Sequence, residues 1–228
     1  MTEPSHILHT GPQSIPVSAE VPTGPKLTVY LVDDDPSVRV AIARLLVSVG
    51  LPCESFATAA DFLKRAEQGL AGCLVLDVRM PGLSGLELQR ALTQSGQRIP
   101  VIFVTAHADV PLTVRAMKEG ALELLTKPFD DQTLLDAINN ALQIAGARHE
   151  ASERLRVLEA RYETLTPRER EVMQLVVTGM LNKQTASVLG TTEKTIKAHR
   201  AQVMHKMQAD SLPALVRMAD TLQVTRRD

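Results

Sequence analysis

Hydrophobic residues in the first half of the chain fall into short runs, and each run stops on a polar side chain. Residues 27–32 run into Asp33-Asp34-Asp35, and 73–76 end on Asp77. Residues 99–104 end on Thr105, and 121–125 lead into Thr126-Lys127-Pro128. Runs of this length, largely apolar and with Pro or Gly signals nearby, predict core strands of a parallel sheet. Between them lie stretches with apolar spacing of three and four, as at Ile42, Leu45, Leu46 and Val49. That spacing predicts helices over 37–49, 58–68, 86–95, 110–119 and 132–145. These four runs, a strand-like stretch about Cys53 and the five helices alternate as five βα units, which give a doubly wound, flavodoxin-like α/β sheet of five parallel strands.

The second half carries no strand pattern. Apolar spacing continues past 145 through Ala151, Leu155, Leu158, Tyr162 and Leu165, with charges between. A charged linker helix over 146–163 follows, either a solvated spacer or a short two-stranded coil. Thr166-Pro167-Arg168-Glu169 then reads as a capping box with Pro at the first helical position. Gly179 stops that helix, Asn182 caps a second that ends before Gly190, and Thr191 or Thr192 caps a third over 193–207. Ser211 with Pro213 opens a fourth. Residues 164–228 are therefore an all-α block of four short helices. Residues 1–26 hold five prolines and no period, the pattern of a disordered tail.

Net charge is −1, but it is unevenly spread. Residues 27–140 hold 10 Lys/Arg against 14 Asp/Glu, whereas 164–228 hold 10 against 6. An acidic half before a basic half suits a chain whose second half meets nucleic acid. With no Trp and only Tyr30 and Tyr162, stacking on exposed bases is disfavoured. Cys53 and Cys73 read as free thiols in strand-like runs rather than as a metal or redox pair. No apolar stretch approaches a membrane span, and no signal pattern opens the chain, so a cytoplasmic location away from membranes is expected.

Strand ends of an open α/β sheet meet at one edge, where such folds bind ligands. Two or three carboxylates, a hydroxyl and an ammonium would converge there. Clustered carboxylates need a cation, and their hard oxygens suit Mg²⁺. Asp33 and Asp34 read as metal ligands, and Asp77 as ligand and nucleophile. A carboxylate that takes a phosphoryl group becomes an acyl phosphate. Lys127 would neutralise the phosphoryl oxygens, and Thr105 could donate a hydrogen bond to one of them. Asp35, ahead of Pro36, reads instead as a helix N-cap.

The acidic pair, Asp77 ahead of Met80-Pro81-Gly82, Thr105-Ala106 and Lys127-Pro128-Phe129 together resemble the receiver domain of two-component response regulators over 27–145. That resemblance implies Asp77 as phosphoacceptor, Asp33 and Asp34 on Mg²⁺ with the Arg79 carbonyl, Thr105 as switch and Lys127 as phosphate counter-ion. It also implies a cis Lys127–Pro128 bond. One position departs: the family's usual aromatic three residues before the lysine is Leu124. The second half resembles the LuxR/FixJ-type helix-turn-helix. The matching residues are 165–171, Gly179, Asn182-Lys183, 195–200, Met204, Lys206-Met207, Ser211-Leu212 and Leu215-Val216. By that likeness Lys194, Lys197, Ala198 and Arg200 face the major groove, while Asn182, Lys183, Thr195, His199 and Lys206 lie near phosphates.

Together the two halves imply a transcriptional response regulator, not an enzyme. Its implied partners are a sensor histidine kinase, double-stranded promoter DNA, RNA polymerase and, on activation, a second copy of itself. A phosphoryl-transfer hydrolase is the rival, but it usually has an acid two residues after its nucleophile, where this chain has Arg79. An architectural DNA binder is a second rival, separated by whether Asp77 is phosphorylated.

Overall fold

The computed structural model describes residues 27–224, so the Pro-rich segment 1–26 and the last four residues lie outside the described residues. Five strands, β1 (Thr28–Val32), β2 (Cys53–Phe56), β3 (Gly72–Asp77), β4 (Val101–Thr105) and β5 (Glu123–Thr126), form one parallel sheet in the order β2-β1-β3-β4-β5. Five helices intervene or follow: α1 (Pro36–Ser48), α2 (Ala59–Ala66), α3 (Gly85–Gln94), α4 (Val110–Lys118) and α5 (Asp131–Glu163).

The unbroken apolar runs follow from burial on both faces. Side chains alternate along each strand. Tyr30, Leu74, Leu76 and Phe103 join Phe62, Leu88 and Leu92 on one side. Val29, Leu31, Val75, Ile102 and Val104 join Ile42, Leu46, Leu134 and Ile138 on the other. Strand β4 begins one residue after Pro100, which has no N–H for the ladder; its carbonyl still accepts from Leu74 N at 2.9 Å. Strand β2 lies at the edge and is half exposed, which is why its sequence shows no apolar run beyond the neighbourhood of Cys53. Both thiols are free, and burial pushes Cys73 up to about 12 and Cys53 to about 11.

Helix α5 runs without a break for 33 residues, so receiver-type helix and linker are one element. At 1.5 Å per residue it is about 50 Å long. Its first turns are buried against the sheet through Leu134, Ile138, Ala141 and Ala145. Its end carries Tyr162 into a second core.

That core belongs to α6 (Pro167–Val177), α7 (Asn182–Val188), α8 (Glu193–Met207) and α9 (Leu212–Thr221). Met173, Val203, Met207 and Leu215 form its centre. The expected caps Thr166, Thr192 and Ser211 all accept backbone N–H bonds. Asn182 does not cap α7. The N-cap is Leu181, and Asn182 is the first helical residue; Gln184 Oε1 instead accepts from Leu181 N at 2.9 Å. The Asn182 side chain is drawn away by Arg200, whose Nη1 donates to Oδ1 at 3.2 Å.

Glu169 ties the unit together. It closes the capping box of α6, accepting from Thr166 N at 2.8 Å, and its Oε2 also meets Lys206 Nζ at 2.7 Å. Burial works to raise this carboxyl, but the Lys206 ammonium and the Thr166 N–H outweigh it and hold the group below its ordinary 4.5. A depressed native value stabilises the fold above the unfolded value and loses that contribution as pH falls through the native one. We expect Glu169→Gln to destabilise the helical unit by about 1.5–3 kcal/mol near neutrality. Thermal melts of wild type and variant should converge as pH drops below 4.5; a gap that persists in acid would contradict this role.

Candidate phosphoacceptor site and nucleic-acid interface

Strands β1, β3, β4 and β5 deliver Asp33, Asp77, Thr105 and Lys127 to one edge of the sheet. Asp33 and Thr105 are fully buried, and Asp77 is 8% exposed. Lys127 Nζ bridges the two acids, 2.6 Å from Asp33 Oδ2 and 3.2 Å from Asp77 Oδ2. The second oxygen of each carboxylate is also engaged. Asp33 Oδ1 accepts from Asp35 N at 2.9 Å, and Asp77 Oδ1 from Arg79 N at 3.2 Å. Asp34 is exposed beside them, and oxygens of Asp33, Asp34 and Asp77 lie within 4.8 Å of one another. A donor set made only of carboxylate oxygens fits a hard divalent ion such as Mg²⁺.

Burial and neighbouring charge act on Asp77 in opposite directions. Burial raises the Asp77 carboxyl above its ordinary value, and the neighbouring Asp33 adds to the rise; the Arg79 N–H and Lys127 oppose it. For Lys127, burial works downward, but its bonds to Asp33 and Asp77 leave the ammonium more basic than usual. The lysine therefore stays charged. Asp77 joins some exposure to a neighbouring ammonium, whereas Asp33 has no exposed surface from which to attack. Thr105 Oγ1 makes only long contacts, accepting from His107 N at 3.3 Å and donating to His107 O at 3.4 Å. A stronger acceptor placed at the edge would compete for that hydroxyl.

Several supporting residues were not singled out from sequence. Arg39 Nη1 donates to the carbonyls of Asp33 at 2.7 Å and Asp34 at 2.9 Å, fixing the acidic turn. Gly85 opens α3 directly against β3: a Cβ there would lie 2.2 Å from the Asp77 carbonyl oxygen. Ser84 and Glu87 form the capping box of that helix, a signature legible as Ser-x-x-Glu. Asp35 is the N-cap of α1, as its place before Pro36 implied. The Lys127–Pro128 bond is cis. Leu124 is half-buried and packs with the Phe62 cluster, beside Phe103 in the ladder.

On the helical unit, α7 and α8 present the basic face. Lys183, Lys194, Lys197 and Ala198 are exposed; Asn182, Thr195, His199 and Arg200 are half-buried. Ile196, Val203 and Met207 make the opposite, buried stripe of α8. Lys206, also on α8, is half-buried. Its ammonium is held within the unit by Glu169 and by the Thr164 carbonyl at 3.2 Å. Sequence reading missed that both Arg200 and Lys206 have partners inside the fold, since neither Asn182 nor Glu169 is near them in the chain.

Comparison with known proteins agrees with both halves. Residues 29–139 match the family described as response regulator receiver domain, and 163–219 match the bacterial regulatory proteins of the luxR family. Nodulation protein W of Bradyrhizobium diazoefficiens is 48% identical over 200 residues, 88% of each chain. Transcriptional regulatory protein FixJ of Azorhizobium caulinodans is 44% identical over 193 residues, 85% of this chain and 92% of its own. Among solved structures, response regulator StyR superposes with a TM-score of 0.79 at 49% identity, covering 86% of this chain and 98% of its own. Full-length FixJ from B. japonicum gives 0.52 at 39% identity, covering 89% and 99%. Two matched halves in this order, and relatives matched along nearly their whole length, make this chain a member of the two-component response regulators that join a receiver domain to a LuxR-type DNA-binding helix-turn-helix.

Proposed function

We propose that a sensor histidine kinase phosphorylates Asp77, and that the phosphorylated protein dimerises and binds promoter DNA. The observation that carries this reading is the Lys127 ammonium lying 3.2 Å from Asp77 on the half-open side of a buried acidic cluster. Phosphoryl transfer needs little covalent chemistry from the protein. It needs an aligned nucleophile and fixed positive charge where the oxygens will be. Asp77 supplies the first and Lys127 the second. Asp33, Asp34, Asp77 and the Arg79 carbonyl would hold Mg²⁺, which when bound offsets further charge on the phosphoryl group. Thr105 would then turn from His107 towards a phosphoryl oxygen, giving the loop before α4 a reason to move.

The organisation we propose is a receiver over 27–145, a helical linker over 146–163 and a DNA-binding domain over 164–228, working in the cytoplasm. No described helix is long and apolar enough to cross a membrane. Dimerisation through the receiver is supported by α4, where Val110, Val114 and Met117 are exposed one turn apart. On DNA, α8 would enter the major groove and α7 would cross the backbone. Contact with RNA polymerase follows at the promoter.

Asp77→Asn should abolish labelling by acetyl phosphate with Mg²⁺, because only a carboxylate forms the acyl phosphate. Undiminished labelling of the variant would remove Asp77 from the role.

Lys183→Ala and Lys197→Ala should fail differently. Lys183, the second residue of α7, would meet a phosphate, so its loss should weaken operator and scrambled duplexes together and reduce the salt slope by about 1. Lys197 lies within α8 and is placed for a base edge, so its loss should mainly erode operator preference, by about 1–3 kcal/mol. Binding titrations over a salt series check this; the same ratio of losses for both variants would make Lys197 a phosphate contact.

A further inference from the structure

Helix α5 carries a stretch that neither half of the molecule covers. Residues 150–160 include no buried side chain, and their ion pairs, Arg154 with Glu150 and Arg156 with Glu153, stay within the helix. Ala151, Leu155, Leu158 and Tyr162 follow spacings of four, three and four, the alternation of d and a positions in a heptad. The seam is bounded at both ends. The a position before Ala151 is Arg148, whose guanidinium turns onto the Arg98 carbonyl at 3.1 Å. Tyr162 already packs in the core of the helical unit. Ala151, Leu155 and Leu158 remain for another helix, with Leu155 36% exposed.

The charges beside the seam select the occupant. With Leu155 at a and Leu158 at d, Arg154 and Arg161 take g positions and Glu159 an e position. In a parallel pair, a g residue meets the e residue of the following heptad in the other copy. Arg154 of one copy then faces Glu159 of the other, and two-fold symmetry makes the contact twice. An antiparallel pair would set g against g, arginine against arginine. We infer that this stretch closes on the same stretch of a second copy as a short parallel coiled coil, and only when the receivers pair. Three apolar positions do not by themselves offset the cost of association. Paired receivers would raise the local concentration of the second helix to about millimolar, which supplies what the seam lacks. The coil would hold the two helical units in one register, because the end of α5 is bonded to α8. Arg161 Nη1 donates to the Met207 carbonyl at 3.4 Å, and Lys206 Nζ to the Thr164 carbonyl at 3.2 Å.

The inference rests on the proposed dimerisation of the phosphorylated chain, and disulfide trapping separates the two. Ala151→Cys places a thiol at a d position, where the copies would meet. Ala160→Cys places one at an f position, on the far side of the same exposed stretch. Both variants of the full chain are oxidised mildly with and without acetyl phosphate and Mg²⁺, and wild type sets the background from Cys53 and Cys73. With acetyl phosphate, Ala151→Cys should form covalent dimer at least about ten-fold faster than Ala160→Cys, and than itself without acetyl phosphate. Adding Glu159→Arg should remove that advantage, and adding Arg154→Glu as well should restore it. Light scattering of the same phosphorylated samples reads the dimer directly. A phosphorylated chain that stays monomeric overturns the dimerisation reading and the coil with it. A dimer in which both thiols react at one rate, or in which Glu159→Arg changes nothing, overturns the coil alone, as does equal trapping without phosphorylation.

Discussion

The Lys127 ammonium, set between Asp33 and Asp77, is the interaction on which the rest of the site depends. Two carboxylates at the buried end of a sheet repel one another and lose hydration. A cation between them offsets both costs, and removing it would leave uncompensated charge in a half-buried place. The lysine comes from the end of β5 and the acids from β1 and β3, so the ion pair also joins strands that are not all neighbours. Its arrangement is unequal. The bond to the sealed Asp33 is the shorter, and the longer one leaves Asp77 open on its exposed side. A group added at Asp77 therefore meets a positive charge already in position.

Thr105 ends β4 at that edge, and Leu124 lies on the neighbouring strand β5. Thr105 is tied only loosely to His107, so its hydroxyl is cheap to redirect. Leu124, half-buried against the Phe62 cluster, fills space but offers no hydrogen-bond donor. The far end of the receiver leads without interruption into the DNA-binding unit through α5, whose last turn contributes Tyr162 to the second core.

Much of this was legible in the sequence because burial leaves simple marks. Strands β1, β3 and β4 are covered on both faces and so read as unbroken apolar runs. The chemistry-bearing residues stand at the ends of those runs, so their convergence followed from topology alone. Edge strand β2 left almost no trace, since only half of each side chain is covered. The caps at Thr166, Thr192 and Ser211 were readable because side chain and backbone partner are three residues apart. Asn182 was misread as a cap for the complementary reason: its partner, Arg200, is 18 residues away. The bond from Lys206 to Glu169, across 37 residues, is equally invisible to spacing along the chain. Gly85 could not be read at all, because the need for glycine comes from the β3 backbone pressing on it.

The central claim is that the phosphoryl group goes to Asp77 and to no other acid of the cluster. Protein phosphorylated with acetyl phosphate and Mg²⁺, then reduced with borohydride, carries a homoserine wherever an aspartyl phosphate stood. Peptide mass spectrometry should find that conversion at position 77 alone. Conversion at Asp33 or Asp34, or none in protein that retains its phosphoryl label, would contradict the account.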